Sequence, residues 1–350
     1  MPIVRLNKNI EIIGNSKRRL WRIFPAYVLG PLVFLLLVYF IYRQVIRQPD
    51  WRGSLEQVGT AIRGPQQWRL WVVLALMPLN WGIEARKWQL VIRRAGGISY
   101  GDAFKAILTG TTFASFTPNR MGEYLGRILY VKEGRRFDSI SLTIVCSIAQ
   151  LMVTLLIGMM GLLYLRHYLH LQYPKGQQPL QFWLNVLLGL VLLLWVGLTI
   201  IYFRLSGLLW ILRKVPLAER YRRHIKVIEN FEVAILLRIL FLSFGRYVVF
   251  IVQYGLMFPV FGVFLGVGQL WAGVSVVFLV MAVIPTLTFL TELGLRWGAS
   301  IQVLQFFSAN TIGIFAASFA IWLINLIIPA LIGSLLILSI KLFRKNESPR

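Results

Sequence analysis

Long apolar runs separated by short basic segments dominate the chain. A helix needs about 20 apolar residues to cross a bilayer core. The runs Phe24–Tyr42, Leu70–Ile92, Ser139–Leu165, Phe182–Phe203, Ile235–Phe258 and Thr311–Ile340 therefore predict six spans. Pro329 removes a backbone donor from the last one and predicts a bend there. Two further apolar stretches are interrupted. Ala103–Thr117 contains Gly110 and stops at Pro118, after which come Arg120, Glu123 and Arg127. Val267–Ile284 stops at Pro285 and continues through Glu292 and Arg296. Each reads as two half-helices joined at a proline. Irregular backbone at membrane depth persists only inside protein or beside a wet cavity, so both are read as re-entrant hairpins. For Val267–Ile284 a full span is the alternative, since its 18 residues could cross. The pattern predicts an all-α polytopic membrane protein: one membrane domain over 1–350, with about six transmembrane helices and two re-entrant helical hairpins.

An internal repeat emerges from this order. Span two, hairpin one and span three (approximately 70–165) match span five, hairpin two and span six (approximately 236–341). The turns are Pro118, Asn119 and Gly122 in the first unit and Pro285 and Thr286 in the second. In each, the proline precedes a glutamate by five or seven residues, and an arginine follows the glutamate four residues later. That spacing puts both charges on one helical face, where they can pair. The units enter from opposite sides, so the repeat is inverted. Inverted repeats with broken helices near the midplane are characteristic of transporters.

Composition narrows the class. The chain is 57% hydrophobic and 14% charged, with a net charge of +24. Soluble domains carry about 25% charged residues, and nucleic-acid binders place their basic residues on an ordinary soluble surface; neither fits. The basic residues instead report orientation. Six precede the first span, ten lie between Arg86 and Arg136, eight between Arg204 and Arg238, and four in the tail. Arg166–Gln181 has two and Pro259–Ile284 none. Both termini are thus expected in the cytoplasm of a multi-pass inner-membrane protein. The Arg43–Arg69 loop dissents, with five basic residues outside. The segment 204–235 reads as a basic amphipathic connection on the cytoplasmic surface, with docking of a partner enzyme as a second reading. Arg86, Lys87, Arg93 and Arg94 are expected to snorkel to inner-leaflet phosphates. The first apolar run follows a basic segment and is long enough to span, so no cleavable signal peptide is expected.

Few residues suggest reaction chemistry. Cys146 is alone, which excludes an intrachain disulfide framework. His167, His170 and His224 are expected in polar connections without an acidic ligand beside them, so no metal or other cofactor is expected. The chain has no Gly-rich phosphate loop ending in Lys-Ser/Thr, no His-Glu-x-x-His and no nucleophile elbow, and is not read as an enzyme.

The run Trp81-Gly-Ile-Glu-Ala-Arg-Lys-Trp88, followed by Phe116-Thr-Pro-Asn-Arg-Met-Gly-Glu123 with Arg127, resembles the lysylphosphatidylglycerol synthase transmembrane-region (flippase-like) family. Ile284-Pro-Thr with Glu292 is similar to that family's second Pro…Glu element. Here the chain has Leu287-Thr-Phe-Leu290 in place of a glycine-rich turn. The resemblance spans roughly residues 20 to 342. It implies a bacterial inner-membrane protein related to lipid translocation, sometimes fused to a transferase domain.

Ionisable side chains at membrane depth cost about 2.5–3.5 kcal/mol on insertion scales, so they have a partner or a task. Arg246 lies ten or so residues into the fifth span and has no acidic partner within it. Arg120, Arg127, Arg246 and Arg296 are the candidates to bind an anionic head group, because guanidinium matches phosphate bidentately. Glu123 and Glu292 are the candidates to hold those arginines or to exchange protons. The plainer reading is that the Glu–Arg pairs neutralise each other and fix the hairpins. Glu84 and Arg86 lie toward the inner end of span two. The leading expectation is a flippase-like transporter of an anionic phospholipid or polyprenyl-phosphate-linked lipid. The alternatives are a scaffold presenting lipid to a separate transferase and a membrane-embedded lipid-modifying enzyme.

Overall fold

The computed structural model describes residues 39, 59–60, 64–117, 120–172, 178–204, 231–284 and 289–343. Most of the first predicted span, the turn residues Pro118, Asn119, Pro285 and Thr286, and most of the 204–235 connection lie outside the described residues. The described elements are helices: α1 (Gln67–Ile92), α2 (Tyr100–Ala114), α3 (Gly122–Ile128), α4 (Arg136–Gln172) and α5 (Gln178–Phe203). After the connection come α6 (Val233–Val260), α7 (Val267–Val283), α8 (Phe289–Leu304), α9 (Thr311–Trp322) and α10 (Ile328–Phe343). Among the described residues, four helical stretches are long and apolar enough to cross a membrane: Arg136–Gln172, Leu180–Phe203, Val233–Val260 and Thr311–Ile337. By length and composition this is an α-helical membrane protein. At 26 residues, α1 is about 39 Å long, but Glu84, Arg86 and Lys87 interrupt its apolar run and it does not join the four.

The boundaries have local causes. Two left-handed glycines, Gly96 and Gly97 (φ 104° and 65°), end the first helical segment. Ser99 then caps α2 by accepting from the Asp102 amide at 3.1 Å. Asn310 caps α9 through the Gly313 amide, while its own amide donates to the Phe261 and Gly262 carbonyls. One side chain thus ties the end of α6 to the start of α9. Helix α4 runs on to Gln172, so His167 and His170 stand in its last turns and not in a loop; the apolar period continues through Leu165 and Leu169, both buried.

Helices α1 and α6 run antiparallel along their length. Gln253 donates to the Val73 carbonyl at one end, Arg246 to Asn80 in the middle, and Lys87 to Ser243 toward the other end. Helix α7 packs on α4, and α10 on α2. Both contacts depend on glycine. A Cβ on Gly161 would lie 2.9 Å from the Ala272 carbonyl oxygen, and one on Gly333 would overlap the Leu108 carbonyl. Small residues allow the close backbone approach that holds helices together in lipid. The α2–α3 pair is tighter still, because Gly110 and Gly126 bring two backbones into direct contact. Gly122, predicted as a turn residue, instead opens α3 and fits where a Cβ would overlap the Phe113 carbonyl. The hydroxyls of Thr111, Ser115, Thr143 and Thr154 return to carbonyls four residues back, which satisfies them without solvent.

The last helix does not simply bend at Pro329. It passes through a π-turn over Leu323–Ile327. Proline at 329 has no N–H to give the carbonyl four residues earlier, which belongs to Asn325. That carbonyl accepts instead from the Trp81 indole at 3.2 Å, so the irregularity links α1 to the last helix.

Candidate functional site

The buried stripe of α1 repeats at three and four residues: Asn80, Trp81, Glu84, Ala85, Lys87, Trp88, Val91 and Ile92. It carries the hub of the site. Glu84, 4% exposed, meets Lys87 at 2.7 Å, Arg246 at 3.0 Å and Arg127 at 3.2 Å. These cations come from α1, α6 and α3. The sequence places Glu84 toward the inner end of span two but gives it no role in the site. Its signal is a carboxylate and a lysine three apart on one face of a long apolar helix.

The six predicted site residues assemble around this hub. Arg127 bridges Glu84 to Glu123 at 3.1 Å. Glu123 also holds Arg120 at 2.9 Å. Arg120 reaches Glu292 at 3.8 Å, and Glu292 pairs with Arg296 at 3.0 Å. Both i,i+4 pairs expected from the spacing form, but neither is isolated. Arg246 has the acidic partner its own helix lacks, and Asn80 accepts from its Nε at 2.7 Å. Its guanidinium also lies 4.8 Å from the Trp81 ring and 5.6 Å from Phe250, a favourable arrangement for a cation against aromatic faces. Tyr254 accepts from Arg296 at 3.2 Å. Arg120 has φ 58°, in the left-handed region. For a non-glycine residue this costs about 1–3 kcal/mol and marks over-determined or working positions.

Lys87 corrects one expectation. The basic run predicts that it snorkels to lipid with Arg86, Arg93 and Arg94, yet it is 1% exposed. Beyond Glu84 it reaches Ser243 at 3.3 Å and Gln150 at 3.4 Å. The physical reason is helical period: adjacent residues point about 100° apart, so Arg86 faces outward while Lys87 shares the Glu84 face. Arg86 and Arg93 are exposed, and Arg94 lies over the Phe231 ring at 4.3 Å.

The charged groups surround a cavity of about 450 Å³, within the range of ligand sites. Glu84, Lys87, Arg120, Glu123, Arg246, Glu292 and Arg296 line it. Gln150 and Thr154 of α4 add neutral polar groups; Phe250 and Phe278 add apolar wall. Arg127 stands behind the wall, 3% exposed, and its Nε and Nη1 have no protein partner. Among the described residues no group of three or more His, Cys, Asp or Glu could hold a metal ion. The lining thus combines three guanidinium groups and one ammonium with three carboxylates.

No family model matches the chain, and no curated protein or solved structure matches it.

Proposed function

We propose that this protein is a flippase-like lipid transporter. Its central cavity binds the anionic head group of a phospholipid or polyprenyl-phosphate-linked lipid and moves it between leaflets of a bacterial inner membrane, with both chain termini cytoplasmic. One observation carries the reading: a cavity with a net cationic lining, within an apolar helical protein, to which both halves contribute charge. α1 and α3 supply Glu84, Lys87 and Glu123; α6 and α8 supply Arg246, Glu292 and Arg296. Arg120 links the two halves through Glu123 and Glu292.

An inverted repeat accounts for the packing economically. Matching α1 to α6, α2 to α7, α3 to α8 and α4 to the last helix turns the α4–α7 contact into the α2–α10 contact. It also leaves the antiparallel α1–α6 seam on the symmetry axis. On this reading α2–α3 and α7–α8 are hairpins entering from opposite faces, and six helices span. A head-group phosphate would compete for Arg120 and Arg296, freeing the Arg120–Glu292 link and letting one half rock against the other. The resemblance in the Trp81–Trp88 and Phe116–Glu123 runs points the same way.

The test is head-group movement in reconstituted vesicles carrying a fluorescent anionic lipid. Glu123→Gln and Arg246→Ala are expected to abolish movement while folded protein is retained. Movement at the wild-type rate in both variants overturns the cavity assignment. A wild-type protein that binds lipid but moves none supports the scaffold that presents lipid to a transferase.

A further inference from the structure

We propose that the cavity is matched to a phosphomonoester dianion, a terminal phosphate on a lipid, in preference to a phosphodiester head group. This deepens the reading of the cavity as a head-group site and rests on it. The charge balance carries the argument. Lys87, Arg120, Arg127, Arg246 and Arg296 supply five positive charges. Glu84, Glu123 and Glu292 supply three negative ones, leaving an excess of two. The undescribed turn residues at 118–119 and 285–288 contain no ionisable side chain and leave that balance unchanged.

The carboxylates are fully engaged. Glu84 meets three cations, Glu123 two and Glu292 two. Glu84, Lys87 and Arg127 are at most 5% exposed, though Arg120 is 34% exposed; net charge held away from bulk water is costly unless an opposite charge accompanies it. A dianion cancels the excess, whereas a diester, with one charge, leaves half of it. Donor placement agrees. Arg120, Arg246 and Arg296 line the cavity from three separate elements, the α2–α3 turn, α6 and α8, and a monoester has three terminal oxygens to meet them. A diester offers two.

The chemistry predicts a pH signature. The second proton of a phosphomonoester leaves near pH 6, while a diester carries one charge throughout. Deprotonation makes the dianion, so affinity for a monoester rises with pH and affinity for a diester does not. Besides the seven charged residues that line it, with Arg127 behind the wall, Tyr247 of α6 and Cys146 of α4 face the cavity and Tyr254 stands behind Arg296. No histidine lines it among the described residues, and the second ionisation of a phosphomonoester falls inside the pH range tested.

The experiment is calorimetric titration of the purified full-length protein in detergent with short-chain phosphatidate, short-chain phosphatidylglycerol and inorganic phosphate. Phosphatidate is expected to bind about tenfold more tightly than phosphatidylglycerol at about pH 8, with the advantage shrinking at about pH 5.5. Arg296→Gln lowers the excess to one and should reduce that advantage. Equal binding of the two lipids at both pH values overturns the dianion assignment but leaves the head-group reading standing. Failure of both lipids to bind overturns both readings. Inorganic phosphate binding as tightly as phosphatidate overturns the lipid as the source of the phosphate.

Discussion

Replacing Glu84 with glutamine removes one charge from the hub while keeping its shape. Three cations lose a partner, but not equally. Arg127 keeps Glu123 at 3.1 Å, and Arg246 keeps Asn80 at 2.7 Å together with the faces of Trp81 and Phe250. Lys87 has no other carboxylate among the described residues and keeps only long hydrogen bonds to Ser243 and Gln150. The loss therefore amounts to one broken buried ion pair, about 3–5 kcal/mol, not three. Lys87→Met should cost less, about 1–2 kcal/mol, because Glu84 retains two arginines. In Glu84→Gln/Lys87→Met the charge excess returns to its original value, so the double variant should be more stable than Glu84→Gln alone. Detergent-titrated unfolding in mixed micelles, followed by circular dichroism, measures all four corners of the cycle. A Glu84→Gln variant within about 0.5 kcal/mol of wild type, or strictly additive effects, would refute the hub.

Two further predictions concern packing. Gly126→Ala places a Cβ against the backbone of Gly110, which cannot move aside as a side chain can. It should force α2 and α3 apart and cost about 1–3 kcal/mol or more. Gly298→Ala meets nothing within 4 Å and should be neutral or stabilising by up to about 1 kcal/mol through helix propensity; the same titration checks both, and equal effects would sink the close-approach argument. Trp81→Phe strands the buried Asn325 carbonyl and should cost about 1–3 kcal/mol. Adding Pro329→Ala supplies an intrahelical N–H and should recover most of it; no recovery would show that Pro329 is not what frees that carbonyl.

Helix positions were legible in the sequence because they follow from local pattern. The stretch predicted as Val267–Ile284 is the helix Val267–Val283, and Ile235–Phe258 is contained in Val233–Val260. The Glu123–Arg127 and Glu292–Arg296 pairs were legible for the same reason, as four residues return a helix to the same face. The undershoot of span three, predicted to end at Leu165 where α4 reaches Gln172, came from reading Arg166 and His167 as a membrane boundary. Buried Leu169 shows that packing on α5 and α7 continues beyond it. The error at Lys87 arose from treating a basic run as one surface patch when helical period divides it.

The sequence by itself determined an all-helical protein with long apolar helices, the places where two of them break, and an excess of positive charge. These follow from backbone hydrogen bonding and from the cost of exposing polar groups to lipid, both set within a few residues. Only the tertiary structure decided which charges share a site. Glu84 and Arg246 are 162 residues apart in the chain, and no local rule couples them. Their pairing depends on α1 and α6 lying antiparallel, which glycine contacts and the Asn325–Trp81 bond elsewhere in the bundle help to fix. Once assembled, the charges on both sides must be counted together, and the embedded excess of two appears only then.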